Sequence, residues 1–167
     1  MRPFRFCPSC GSSLDTSGSD PETTCTNCGE TWYRNPAPTV GCVLLRDGRA
    51  LISRRGSEPF KGRFDVPGGF LEPGEEAIEG LKREIKEELK IEISTSMADC
   101  LQIEPHRYGP DGDWTLAIGF KGTIVRGEPE PSDDVDAIEW VSESELESLD
   151  FAWQHDRELV RKALADG

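Results

Sequence analysis

Two cysteine pairs constrain this chain more than any other feature. Cys7-Pro8-Ser9-Cys10 and Cys25-Thr26-Asn27-Cys28 each place two thiols one tight turn apart, with fourteen residues between the pairs. Two such knuckles can wrap one tetrahedral Zn²⁺ with four thiolates. Gly11 and Gly29 follow the second cysteine of each pair, where a glycine lets the chain turn back and aim N–H groups at the sulfurs. Two disulfides in a secreted protein would use the same spacing, but the opening MRPFRFCPSC lacks the apolar core of a signal peptide. The expectation is a cytoplasmic protein with a zinc ribbon over residues 1–35. Four thiolates leave no open ligand position, so the zinc is expected to be structural. It would also supply the stability that so short a segment cannot draw from a core. The stretch from Gly11 to Thr24, rich in Ser, Thr and Gly, reads as the loop between the knuckles.

Asn35-Pro36-Ala37-Pro38 reads as a linker, and residues 36–167 as a second domain. Thr39–Leu45 reads as a buried strand, Asp47-Gly48 as a tight turn and Arg49–Ser53 as the returning strand. Leu101–Glu104, Trp114–Lys121 and Ala137–Val141 are further strands, and Glu143–Ser148 a short helix. Gln154–Ala165 reads as an amphipathic helix carrying Leu159, Val160 and Ala163 on one side. Cys42 and Cys100 fall in apolar segments, as small core residues. The 167 residues are 35% hydrophobic and 31% charged, as in a soluble globular protein. No apolar run nears the roughly 20 residues of a membrane span. The net charge of −13 gathers at the end of the chain, where residues 126–167 carry 4 basic and 13 acidic groups. No segment is a basic footprint, which weighs against broad binding to nucleic acid or anionic membranes.

Chemistry concentrates between Pro67 and Ile91. Pro67-Gly68-Gly69 reads as a sterically open turn that can expose backbone carbonyls, and Pro73-Gly74-Glu75 as a helix start. Ile78, Leu81, Ile85 and Leu89 make one apolar stripe. Glu84, Glu87 and Glu88 follow the i, i+3, i+4 rule and project from one side, at the edge of that stripe. Three carboxylates so close repel one another, and a cation would neutralise them. Oxygen ligands with no His or Cys nearby favour Mg²⁺ or Mn²⁺. The alternative is a solvated acidic face relieved by Lys82, Lys86 and Lys90.

Written out, the stretch is Gly69, five residues, Glu75, seven residues, Arg83-Glu84-Ile85, one residue, Glu87-Glu88, one residue, Lys90-Ile91. It resembles the Nudix hydrolase signature at eight of nine defined positions. The departure is Lys90, where the family usually has glycine; a lysine near a helix C-terminus suits the helix dipole. Upstream, Arg54-Arg55 and the approach Phe64-Asp65-Val66-Pro67 also look like the family. The cysteine segment, with its exit Trp32-Tyr33-Arg34-Asn35-Pro36, resembles the zinc ribbon of NADH pyrophosphatase-type members.

The resemblance implies an α/β fold, an α/β/α sandwich around a mixed sheet, preceded by the small ribbon. It implies Mg²⁺-dependent hydrolysis of a nucleoside diphosphate linked to another group. It implies Glu84, Glu87, Glu88 and the carbonyl of Gly68 as Mg²⁺ or Mn²⁺ ligands, a structural Glu75–Arg83 pair, and a homodimer. Some members draw a carboxylate from a downstream loop. Asp133, Asp134 and Asp136 precede the strand ending in Trp140, and Asp134 is the best match for a general base, with Glu84 or Glu87 as alternatives. Arg54, Arg55, Lys61 and Arg63 are candidate phosphate contacts, because guanidinium pairs well with phosphate oxygens. Trp32, Trp114 and Phe70 are candidates for stacking on a base or for packing. His106 and His155 stand as lone histidines with no chemical role assigned.

The substrate is less constrained. NADH pyrophosphatases carry a Ser-Gln-Pro-Trp-Pro-Phe-Pro-like element beyond the box, and the comparable region here reads QIEPHRYGPDGDWTLAIGF. ADP-ribose pyrophosphatases resemble one another in a proline about sixteen residues past the box; position 107 is arginine here, with Pro105 close by. Dinucleoside polyphosphate hydrolases tend to have a tyrosine one position later, where Tyr108 falls. An ADP-ribose-like compound is the leading expectation, with NAD(H) or a dinucleoside polyphosphate as alternatives. Degenerate family members that only sense nucleotides lose the box acids. All three stand here, which favours an enzyme over a sensing module with the ribbon as a partner-binding element. An acidic ribbon weighs against RNA beyond a terminal cap.

Overall fold

A computed structural model describes residues 4–15, 21–110 and 112–166. The middle of the expected knuckle-to-knuckle loop lies outside them. The cysteine segment contains one two-stranded antiparallel sheet, β1 (Glu22–Thr24) and β2 (Thr31–Tyr33). Neither strand carries a fully buried residue, and the buried apolar groups here are Cys7 and Cys25 themselves.

The rest is built on one eight-stranded mixed sheet. Its strands are β3 (Ala37–Arg46), β4 (Arg49–Arg55), β5 (Phe64–Asp65), β6 (Gly68–Phe70), β7 (Glu92–Ser94), β8 (Cys100–Arg107), β9 (Trp114–Arg126) and β10 (Val135–Val141). The main path runs β10-β4-β3-β9-β7, with β5 on β4, β6 on β3 and β8 on β9. The β3–β9 pair is parallel, over Ala37–Leu44 against Thr115–Gly122; all other pairs in the sheet are antiparallel. The turn between β3 and β4 is Asp47-Gly48, both with positive φ, the geometry that tight hairpins need.

Alternation along the central strands sets the layers. Val40, Cys42 and Leu44 of β3, with Leu51 of β4, face α1 (Ala77–Leu89) and pack on Leu81, Ile85 and Leu89. Val43, Ala50 and Ile52 point the other way, toward Leu159, Val160 and Ala163 of α2 (Gln154–Ala165). Each helix thus closes one apolar face, giving the expected α/β/α sandwich. Cys42 is fully buried and Cys100 half-buried against the α1 core, as expected. Glu143–Ser148 forms a six-residue 3-10 helix. No helix among the described residues is long and apolar enough to cross a membrane.

Two details differ from the sequence expectation. α1 starts at Ala77, not at Pro73-Gly74-Glu75. Gly74 has φ of 86°, outside the helical range, and the Glu75 carboxylate turns back to accept from the Glu72 N–H. The Pro67-Gly68-Gly69 turn runs straight into β6, which pairs with Thr39–Gly41 of β3. Gly68 has φ of 149°, and a Cβ there would lie 2.0 Å from the Val40 oxygen, so the close approach of β6 to β3 requires glycine.

Candidate active site

β3 divides one edge between two partners, β6 along Thr39–Gly41 and β4 along Leu44–Arg46. This brings Gly68-Gly69 against the acidic side of α1. A Cβ on Gly69 would fall 2.3 Å from the Glu84 carboxyl carbon, so that side chain lies directly over the glycine backbone. The Gly68 N–H donates to Glu88 Oε2 at 2.8 Å. Beside these residues opens a cavity of about 270 Å³.

The three box acids occupy three environments. Glu88 is 7% exposed, Glu84 half-buried and Glu87 exposed. Glu84 and Glu88 line the cavity and Glu87 does not. Burial first, then the neighbouring Asp65, push the Glu88 carboxyl well above the usual carboxylate range. Burial also pushes Glu84 up, against the pull of Arg83. Arg83 is the organiser of this face. Its Nε and Nη2 donate to the two Glu75 oxygens at 2.8 and 2.9 Å, and its Nη1 to Glu84 at 2.8 Å and Glu87 at 3.2 Å. These bonds hold the Glu75 carboxyl down to about 2. The pairing role that the resemblance gives Glu75 and Arg83 matches this geometry.

Asp133 and Asp134, on the loop before β10, also line the cavity. Asp134 accepts from the Ser57 hydroxyl at 3.0 Å, and its charge helps to raise both Glu88 and Asp65. Asp65 also lines the cavity, where Ser53 Oγ donates to it at 2.5 Å and Arg55 at 2.7 Å. Sequence reasoning passed over Asp65, although a single acid between Phe64 and Val66, both buried, is a legible signal.

The arginines separate. Arg55 reaches the cavity, but its donors already serve Pro59 O, Asp65 and the Tyr108 hydroxyl. Arg54 pairs with Glu139 and Arg63 with Asp150, and neither lines the cavity. Lys61 is exposed and outside the lining as well. Of the stacking candidates only Phe70 lines the cavity. The two histidines are not isolated from each other: the His106 and His155 rings lie 4.0 Å apart in the cavity wall.

The donors suit two kinds of metal. At the box they are hard oxygens, from Glu84, Glu88 and the Gly68 backbone, and a divalent cation is what would hold a carboxyl as buried as Glu88 ionised. In the cysteine segment all four sulfurs lie within 4.8 Å of one another, the one such cluster of metal-ligating side chains among the described residues. Cys7–Cys28 and Cys10–Cys25 Sγ separations are both 3.7 Å, and tetrahedral Zn–S bonds near 2.3 Å put sulfurs about 3.8 Å apart. Both knuckles turn alike: Gly11 N–H donates to Cys7 O and Gly29 N–H to Cys25 O, each at 2.8 Å, with φ of 74° and 77°. Hydrogen bonds from Ser12 and then Asn27 hold the Cys10 thiol down to about 6, toward the thiolate a metal needs.

Comparison with known proteins agrees with this architecture. An ADP-ribose pyrophosphatase of Methanocaldococcus jannaschii is 34% identical over 119 residues, covering 71% of this chain and 69% of that protein. An NAD-capped RNA hydrolase NudC of Stutzerimonas stutzeri is 28% identical over 167 residues, 96% of this chain; the chain spans 56% of that longer protein. A crystal structure of a NUDIX hydrolase from Nitrosomonas europaea superposes with a TM-score of 0.74 at 20% identity, over 98% of this chain and 92% of that one. The NUDIX domain model matches residues 35–163, the whole of the large sheet with α1 and most of α2, and the chain belongs to the NUDIX family.

Proposed function

We propose that this protein hydrolyses the pyrophosphate bond of a nucleoside diphosphate linked to another moiety, ADP-ribose first, giving AMP and ribose 5-phosphate. The observation that carries this reading is the convergence of Glu84, Glu88 and Asp134 on one cavity of about 270 Å³. The 34% identity to a protein named ADP-ribose pyrophosphatase supports the choice of substrate.

In this reading Glu84, Glu87, Glu88 and the Gly68 carbonyl hold Mg²⁺ or Mn²⁺. Such an ion, when bound, neutralises phosphate charge and acidifies a water. Arg83 bridges Glu84 and Glu87 through its Nη1, with Glu75 fixing its guanidinium. Asp134, on a separate loop, accepts the proton of the attacking water. Arg55 holds Asp65 and Tyr108 in place, and Arg54 and Arg63 would meet substrate phosphate only by leaving Glu139 and Asp150. The four cysteines hold a structural Zn²⁺ in residues 1–35, apart from the hydrolytic unit of residues 36–167 in a cytoplasmic protein.

One observation favours a second reading, an NAD-linked substrate: the likeness to NudC runs over 96% of the chain and so reaches beyond the large sheet into the cysteine segment. A hydrolysis panel separates the two. With Mg²⁺, it compares ADP-ribose, NADH, NAD⁺, diadenosine polyphosphates and nucleotide sugars. Preference for ADP-ribose supports the first reading, preference for NADH or NAD⁺ the second, and turnover of none would remove both.

A further inference from the structure

The Asp134 backbone is held from two sides. Gly56, the residue after β4, donates its N–H to the Asp134 main-chain oxygen at 2.6 Å. A Cβ on Gly56 would lie 2.7 Å from that same oxygen, so a missing side chain is what lets the two segments meet. Earlier on the same loop, the Ser132 N–H donates to the Glu88 main-chain oxygen at 2.8 Å and ties the loop to the last turn of α1. These bonds fix where the Asp134 backbone stands relative to Glu88. They leave the direction of its side chain open, because Asp134 is exposed and an exposed side chain turns among its rotamers. Ser57 closes that freedom. Its hydroxyl donates to Asp134 Oδ2 at 3.0 Å, and Oδ1 accepts no hydrogen bond among the described residues.

We propose that Ser57 is a positioning residue for the hydrolysis: its hydroxyl holds the Asp134 carboxylate in the rotamer whose free oxygen, Oδ1, takes the proton of the attacking water. The inference rests on the reading of Asp134 as general base and adds the group that orients it. In that step the water's O–H bond breaks and its proton passes to Oδ1. The water oxygen bonds to phosphorus as the bridging P–O bond breaks and its electrons leave with the departing phosphate. A base acts only within hydrogen-bond reach of the proton it accepts, and a small misplacement costs a large factor in rate. One anchored oxygen and one free oxygen meet that need. Holding the two segments together does not require Ser57, because the Gly56–Asp134 main-chain bond already does so. An exposed side-chain hydrogen bond also adds little to stability. What Ser57 contributes is therefore direction: the backbone bonds place the acid, and the hydroxyl aims it.

The test measures ADP-ribose turnover with Mg²⁺ by the full chain, as wild type, Ser57→Thr, Ser57→Val, Asp134→Asn and the Ser57→Val/Asp134→Asn double variant, with a melting curve for each. Threonine and valine have nearly the same shape, so their difference isolates the hydroxyl. Ser57→Thr is expected to keep kcat within about twofold of wild type, and Ser57→Val to lose about tenfold in kcat with KM little changed. Asp134→Asn is expected to lose about 100-fold or more. The double variant should be no slower than Asp134→Asn, because a hydroxyl that acts through the carboxylate then has nothing left to orient. A Ser57 that only supports the fold would slow both backgrounds alike. A second readout needs no hydrolysis. Three-bond NMR couplings about the Asp134 Cα–Cβ bond, in metal-free protein, should report one rotamer in wild type and Ser57→Thr, and averaging in Ser57→Val. Equal kcat in the threonine and valine variants, a further loss in the double variant, or averaged couplings in wild type would each overturn the proposal. If Ser57→Val does not fold, Ser57→Ala takes its place. A wild-type rate in Asp134→Asn would remove Asp134 as the base, and this proposal with it, while leaving the hydrolysis intact. One Asp134 rotamer in wild type, released in Ser57→Val, in a protein that hydrolyses none of the compounds would confirm the orientation by Ser57 and sink the proposed function.

Discussion

The cysteine segment and the large sheet reach a fixed structure by opposite means. The sheet has two apolar cores, one under each helix, with Leu44, Leu51, Leu81, Ile85 and Phe120 wholly buried on one side and Ala50, Ile52, Val160 and Ala163 on the other. Among its described residues the cysteine segment has no comparable core, and its strands are three residues each. Its order rests on two glycine-closed knuckles and the convergence of four sulfurs. The difference teaches where each region is vulnerable. One should respond to chelators and oxidants, the other to cavities.

The sharpest way to break that comparison is to remove the metal from the small region. Structural zinc contributes roughly 10–16 kcal/mol in small zinc modules. Chelation, or Cys25→Ser, should therefore release about one equivalent of zinc and unfold the cysteine segment. The main melting transition should stay in place. A single melt that falls as zinc is lost would show the two regions to be one cooperative unit. The converse perturbation is Leu51→Ala, which opens a cavity beneath α1 and should cost the large sheet about 3 kcal/mol or more. Zinc content should not change; loss of zinc in the folded variant would again join the regions.

Protonation gives a third contrast, confined to the cavity. Burial, then the charge of His106, hold His155 down to about 4, below the ~6.5 of an exposed histidine. Above pH 6.5 the group is neutral folded and unfolded and costs nothing. As pH falls from 6.5 to 4 the unfolded chain takes up the proton first, so stability is lost over that window, by up to roughly 3 kcal/mol, and levels off below it. The His155→Gln variant should lack this loss, and the wild-type–variant difference in melting temperature should shrink in that window. A difference independent of pH would contradict the burial of a neutral His155. The smallest effect concerns Lys90, which caps α1 with φ of 60° and ψ of 22°. A Cβ in the left-handed region costs about 1 kcal/mol, so Lys90→Gly should stabilise the large sheet by about that much and leave zinc binding unchanged.

Much of this was legible in the sequence because it is local. Helix periodicity places Leu81, Ile85 and Glu88 on adjoining faces, and the CxxC pairs announce a metal cluster before any fold is known. The signature also flagged Lys90 as the departure from glycine, and the structure shows the left-handed turn that makes glycine the usual choice. What escaped is non-local. His106 on β8 and His155 on α2 are 49 positions apart in the sequence, and only the packing of α2 across β8 and β9 brings their rings together. Arg54, Arg55 and Arg63 look equivalent in the sequence. In the fold only Arg55 lines the cavity, while Arg54 and Arg63 pair with Glu139 and Asp150.

The central claim is that the buried acid end of the cavity carries a metal-dependent hydrolysis. The most direct measurement is ADP-ribose turnover with Mg²⁺ by wild type and Glu88→Gln, with a melting curve for both. Glutamine keeps the shape and needs no charge in a position only 7% exposed, so the variant should melt at or above the wild-type temperature. Its turnover should fall by about 100-fold or more. A Glu88→Gln protein that folds and hydrolyses ADP-ribose at the wild-type rate would contradict the account.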